Sequence, residues 1–412
     1  MLQEAPLSVQ APQPLRPGDQ GMGRIRLGLF AAGLSTFALL YVLQPLLPQL
    51  AGSFHLSPAG SSLAMSAGTG ALAVAVIPVS SLSEVFGRRR IMVISVLLAS
   101  VLGLMVPLSP SFPVLVALRV LQGFALAGVP GVAMAYLTEE VHRGSLGRAM
   151  GLFVGGNAIG GLIGRIGAGV LTDFGGWRLA VLGVSGFALG CALLFVAMLP
   201  PSSFFTPAPL RLRALGASLA ANLRDLGLAR LYLIGFALMG GFVTVYNYLT
   251  FRLSGAPFRL SATVIGSLFI VYLAGTYSSA LAGRLADRFG RYSVLITGFL
   301  VMMGGVLLTL PAVLAVIVIG LVVMTGGFFA AHSVASGWVG ARAKVAPAQA
   351  SALYLCAYYI GSSVAGSIGG VFYGSGDWGS TVVFVLVLLL VGLACGGSLW
   401  FSREGCGSAG HK

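Results

Sequence analysis

The sequence predicts an all-α membrane protein whose twelve transmembrane helices form two six-helix bundles related as parallel repeats. Three observations carry that prediction. Of 412 residues, 57% are hydrophobic and only 8% charged, with a mean hydropathy of +0.96, far from the composition of a soluble domain. Apolar runs of about 20 residues recur, the length that crosses about 30 Å of hydrocarbon at 1.5 Å per residue. A charged phrase, "SSLSEVFGRRR" from residue 80, returns as "GRLADRFGR" from residue 283.

The first six runs fall at 27–48, 60–82, 91–108, 113–137, 147–171 and 178–198, and the second six at 230–251, 263–283, 293–312, 315–338, 349–372 and 380–400. They are called spans 1 to 12. Between the sixes lies the one long polar interruption, 200–229, opening "PPSSFFTPAPLRLR" and read as a domain linker. The expected organisation is a flexible tail at 1–24, bundles at 25–199 and 230–401, and a second tail at 402–412. The first twenty residues are rich in Pro and Gln and lack the apolar core of a signal peptide.

The net charge of +14 points to topology rather than nucleic acid, because the basic residues punctuate hydrophobic runs. They crowd into the tails, the linker and the loops after spans 2, 4, 8 and 10. The opposite loops hold Arg178, Arg252 and Arg259. Basic residues near helix ends favour the cytoplasm, so both termini are expected there, in a plasma or inner membrane. Cys191, Cys356, Cys395 and Cys406 show no metal or disulfide spacing, and no cofactor or metal is expected.

The halves share more than composition. Glu84, Phe86, Gly87 and Arg88 match Asp287, Phe289, Gly290 and Arg291 at an offset of 203 residues, and Gly169 and Trp177 match Gly370 and Trp378 at 201. A near-constant offset over several helices implies two halves of like orientation.

These residues resemble the major facilitator superfamily, and within it the twelve-helix drug:proton antiporter-1 branch, from span 1 to span 12. "GRLADRFGRY" is close to the family's loop signature, and "LRVLQGFALAG" from Leu118 resembles the span 4 signature of proton-coupled members. "GNAIGGLIGRIGAG" from Gly156 resembles the antiporter signature of span 5, although Gly161 stands where proline is usual and Arg165 takes a small residue's place. The resemblance implies alternating access around a midplane site, and a role for Arg119 with Gln122 in proton transfer.

Physically, an acid beside a helix start and arginines reaching across the seam make a latch. The expected termini-side latch comprises Glu84, Gly87, Arg88, Glu139, Glu140, Gly283, Asp287, Arg288, Gly290 and Arg291, with Glu139 and Glu140 facing Arg88 or Arg148. Gly156, Gly160 and Gly164 recur every four residues, a helix-packing stripe. Arg119 and Arg165 lie inside spans, where a charge faces water or a partner, yet every acid sits in a tail, a loop or a span end. Three accounts stand for the pair: Arg165 reaches outward or pairs with Asp173; the two bind an organic anion or chloride; or they tune proton transfer. His332 is the one histidine inside a span and titrates near neutrality when unperturbed. Further polar candidates for the substrate or proton path are Tyr41, Gln44, Asn157, Tyr246, Asn247, Tyr248, Tyr354, Tyr358 and Tyr359.

The expected activity is export of small organic molecules, drug-like compounds or sugars, in exchange for protons, by a monomer in the bilayer. Rival readings are an organic-anion carrier using Arg119 and Arg165, and a membrane sensor without transport. The sequence has no HExxH, GxSxG or clustered acid pair, so no enzyme is expected.

Overall fold

Proline and glycine decide where these helices bend. The computed structural model describes residues 19–207, 209 and 212–407, and every described element is helical. Eleven stretches are long and apolar enough to cross a membrane. One of them, Gly144–Met198, is bent at Gly175 and Gly176 into spans 5 and 6, with Gly176 at φ 73°, so twelve spans result.

The others are Gly21–Phe54, Pro58–Phe86, Arg88–Leu108 and Phe112–Glu140 in the first half. In the second half they are Leu226–Ser254, Ala262–Phe289, Arg291–Leu308, Leu314–Arg342, Pro347–Ser375 and the helix Trp378–Gly407. Three are interrupted. Span 1 stops at Tyr41 and restarts at Leu47 after a 3-10 turn over Gln44–Leu46. Pro45 lacks the N–H that would reach the Tyr41 carbonyl, and Pro48 removes the next turn's equivalent. Span 4 breaks between Leu126 and Pro130, and span 8 passes through a 3-10 turn at Leu268–Val271.

The first helix begins at Gln20, inside the segment expected as a tail, and residues 1–18 and 408–412 lie outside the described residues. The linker is also partly helical, with Leu212–Arg224 as a separate helix and Asp225 capping span 7 through the N–H groups of Gly227 and Leu228.

Close approach is built from small residues. A Cβ on Gly156, Gly160 or Gly164 would fall 2.6, 2.5 or 2.7 Å from the carbonyl oxygens of Phe30, Leu34 and Ala38, so the glycine stripe of span 5 lies flat along span 1. Buried side chains form two cores. The larger runs through both halves, from Leu43 and Leu50 to Tyr248 and Phe328. The smaller, around Met22, Met92, Tyr136, Phe153 and Phe195, belongs to the first half alone, at the side where the termini lie.

Candidate functional site between the halves

The break in span 1 exposes backbone carbonyls in the middle of the protein, and Arg119 takes them. Its Nη1 donates to Leu39 O at 3.0 Å, its Nη2 to Leu40 O at 2.9 Å and its Nε to Ala64 O at 3.0 Å. Nη1 also donates to Gln122 Oε1, while Gln122 Nε2 donates to Ala99 O at 2.9 Å. The last carbonyls of a helix have no partner inside it and carry partial negative charge, so a guanidinium suits them. Gly68 leaves the room, since a Cβ there would come 2.9 Å from Arg119 Nη2. Every contact of this fork ties spans 1 to 4 of one half together.

Arg165 meets the same break differently. Its Nε donates to Gln44 Oε1 at 2.7 Å and its Nη1 to Gly161 O at 2.9 Å. Its guanidinium carbon stands 3.9 Å from the Tyr41 ring centre, 4.8 Å from Tyr272 and 4.9 Å from Phe269, distances at which the negative ring face attracts a cation. Gln44 then passes the connection on, with Nε2 donating to Asn247 Oδ1 at 2.9 Å. A chain of polar groups thus crosses from span 5 through span 1 into span 7 of the other half. Of the accounts open for Arg165, the pairing with Asp173 does not occur. Asp173 instead accepts from the backbone N–H groups of Ala262 and Thr263, at 3.2 and 2.9 Å, because the first turn of span 8 offers it unpaired donors.

Beyond Asn247 the second half presents aromatic rings. Phe242 stacks on Phe328 at 3.9 Å, Tyr246 stacks on Phe269 at 5.0 Å, and Tyr272 meets both Phe242 and Tyr246. Tyr246 hydroxyl lies 2.8 Å from Thr325 Oγ1. His332 Nδ1 is 2.9 Å from Tyr354 hydroxyl, and its ring lies 4.7 Å from Tyr358. His332 and Tyr358 are half-buried, and Tyr359 is buried beside Tyr358. Two candidates stand elsewhere: Tyr248 donates to Gly366 O at 2.6 Å as a helix-to-helix tie, and Asn157 faces Gly33 of span 1.

The side away from the termini is sealed by two matching contacts. A Cβ on Gly169 would sit 2.5 Å from Ala262 O, and one on Gly370 would sit 2.5 Å from the Cα of Ala59. Ala59 and Ala262 are repeat-equivalent, as are Gly169 and Gly370, so spans 5 and 8 close as spans 11 and 2 do. Ser363 and Ser367 add hydrogen bonds of 2.8 Å to Ser66 O and Ser66 Oγ across the second seam.

The sequence profile described as Major Facilitator Superfamily matches residues 29–256, more than half of the chain. The chain belongs to the Major Facilitator Superfamily. It is 46% identical over 385 residues to the MFS-type transporter YybF of Bacillus subtilis, covering 93% of this chain and 95% of that one. To the inner membrane transport protein YnfM of Escherichia coli it is 44% identical over 387 residues, covering 94% and 93%. The fold matches a bacterial homolog of the lysosomal transporter Spinster, in an inward-facing and occupied conformation, with a TM-score of 0.79 at 16% identity, covering 94% and 98% of the two chains. Family and relatives are transporters, so the chain is a transporter and not an enzyme.

The signature loops of this superfamily member stand apart on the termini side. Gly87 (φ 96°) and Gly290 (φ 84°) make the turns after spans 2 and 8, a left-handed conformation that side chains resist. Arg88 binds Glu139 at 3.1 Å, Ser83 Oγ at 2.6 Å and Glu84 at 3.8 Å, all in its own half. Glu140 accepts from the N–H groups of Ser203 and Phe204 in the linker, and Arg148 is exposed. Gly283, Asp287, Arg288 and Arg291 are exposed. Among the described residues, each termini-side ion pair stays within one half, Asp225–Arg342 included. In this conformation the latch residues do not bridge the halves, while the opposite side is shut.

Sequence reasoning missed Phe269 and Tyr272, which hold Arg165 from 104 and 107 residues away. No local spacing marks them. It also missed Asp225 with Arg342, for which a helix-capping signal, Asp before Leu-Gly-Leu, was present.

Proposed function

We propose that this transporter exports small organic molecules across the cytoplasmic membrane in exchange for protons, with both termini in the cytoplasm. The observation that carries the reading is the bridge Arg165–Gln44–Asn247, which joins the halves at the centre of the molecule while only the side away from the termini is sealed. Breaking the seal and closing the termini side would carry the centre from one face of the membrane to the other. A solute or proton that binds one state more tightly drives that exchange by the difference. One chain carries both halves, so a monomer suffices.

Export rests on the span 5 glycine signature, and proton coupling on the span 4 signature and on His332, whose imidazole faces the central aromatic rings beside Tyr354. The inner-membrane location is taken from the Escherichia coli relative, an inner membrane transport protein. The test is purified protein in liposomes carrying an internal pH dye under an imposed proton gradient. Neutral, cationic and anionic solutes are added one at a time, with His332→Gln in parallel. Solute-triggered proton movement that His332→Gln abolishes supports antiport through His332. Solute counterflow with no pH response removes the proton from the reading, and import without counter-transport reverses its direction.

A further inference from the structure

We infer that the centre of this transporter recognises the carboxylate of a monovalent organic anion, with Arg165 as its cation and the span 7, 8 and 10 aromatics as the bed for an apolar body. The inference rests on the transport reading above and narrows its substrate class.

Charge comes first. Arg165 is 3% exposed, and among the described residues no ion pair accompanies it: its partners are an amide oxygen, a backbone carbonyl and three ring faces. The other intramembrane arginine is different in kind. Arg119 gives four of its five N–H groups to three carbonyls and a glutamine, which leaves no pair of donors for a carboxylate. A buried cation without a counter-charge is costly, and ring faces and a neutral amide offset only part of that cost.

The neighbouring polar atoms point to the same ligand. Asn247 is 1% exposed and its Nδ2 has no hydrogen-bond partner, and the Tyr272 hydroxyl, on a ring against the guanidinium, is likewise buried without one. Both are donors. Arg165 and these two donors gather near Gln44, whose Oε1 accepts from the guanidinium. A carboxylate brings two oxygens and a full negative charge, and charge-assisted pairing to a guanidinium is stronger than an amide contact. A cationic solute would meet Arg165 with like charge, and a neutral one would leave it unpaired.

Gln44 is therefore a stand-in for the ligand. In this conformation its Oε1 occupies the guanidinium and its Nε2 holds Asn247, so the anion must displace it and with it the bridge between the halves. Substrate binding and release of the central bridge become one event. The apolar part of the solute would lie against Phe242, Phe328 and Phe329.

The probes are benzoate, benzamide and benzylamine, equal in shape and differing in charge. Purified full-length protein is melted with each at millimolar concentration, and counterflow of each is measured in liposomes. Benzoate is expected to raise the melting temperature by several degrees, with benzamide and benzylamine shifting it at least fivefold less. Arg165→Gln should remove the benzoate shift. Because that variant risks misfolding, Gln44→Glu is the second arm. It supplies the carboxylate internally, so it should melt higher than the parent and lose its response to benzoate. A benzoate shift absent from the parent, matched by benzamide or benzylamine, or retained in Gln44→Glu overturns the inference. Counterflow of benzamide or benzylamine without benzoate also overturns it while upholding transport. Counterflow of none of the three, alongside a benzoate shift, overturns the transport reading and leaves a carboxylate-binding site.

Discussion

Gln44 and Asn247 hydrogen-bond to each other at 2.9 Å, and the 203 residues between them equal the offset that relates the two halves. Each is the other's counterpart in the repeat, so their contact marks where the pseudo-twofold axis passes through the protein. Near that axis small changes in half-to-half angle move groups least.

Replacing Gln44 by Leu should leave the Arg165 guanidinium without its amide acceptor and Asn247 Oδ1 without the Gln44 donor. The expected loss is about 1–3 kcal/mol of stability, the penalty for buried polar groups left unpaired. Thermal melting of the purified variant reads it, and an unchanged midpoint would show that the link contributes nothing to holding the halves.

Arg119→Met should be more damaging. The carbonyls of Leu39 and Leu40, at the broken end of their helix, would face packed side chains without this donor, and Ala64 O would lose its second partner, at a cost of about 3 kcal/mol or more. Arg119→Lys should recover only part, since a single ammonium cannot reproduce the planar fork. Expression level and melting temperature should rank parent, Lys and Met in that order. Equal behaviour of Lys and Met would mean that positive charge at this position does not matter.

Gly370→Val should force the seam between spans 2 and 11 apart, because its Cβ would enter the Ala59 backbone. Overpacking of this kind costs about 1–3 kcal/mol, enough to change which face is open when the two states lie close in energy. A cysteine placed at Ala59, with the native cysteines replaced, should react faster with a membrane-impermeant maleimide in the variant. Gly169→Val should do the same for a cysteine at Ala262.

Asp225 gives a pH signature outside the membrane. Burial works against its charge, but the Leu228 and Gly227 N–H groups and the Arg342 guanidinium more than offset it, and the carboxyl is held below its ordinary value. A depressed carboxyl adds stability that is complete above its unfolded value of about 3.9 and is lost as the pH falls through the lower folded value. Amides at the start of span 7 should therefore exchange faster as the pH drops below about 4, after correction for intrinsic rates. Asp225→Ala should show that fast exchange at every pH and lose about 1 kcal/mol as a helix cap. Identical pH profiles for the parent and this variant would remove Asp225 from the account.

Much of this was legible in the sequence because membrane spans and internal repeats are written in local pattern. Twelve apolar runs, the arginines inside spans 4 and 5, and the glycine stripe of span 5 all fell on helices as read. The breaks were less so, although Pro45, Pro48 and Pro130 signal them. What could not be read was partnership. Asp173 stands two turns from Arg165 on one helix, which suggests a pair, but the free N–H groups at Ala262 and Thr263 outbid it across the seam. Phe269 and Tyr272 are ordinary membrane residues until the fold sets them against a cation.

Span 1 looks like a place to bend, with its helix interrupted at Tyr41 and resumed at Leu47. An elbow that flexes needs backbone groups free to trade partners during the movement. Here Arg119 has already claimed the carbonyls that a flexing segment would use, and its own helix is anchored to spans 2 and 3 through Ala64 and, by way of Gln122, Ala99. The interruption is thus a welded joint. Spans 1 to 4 are held as one unit by this fork, and what joins that half to the other is the glycine-lined seams and the side chains that cross the axis.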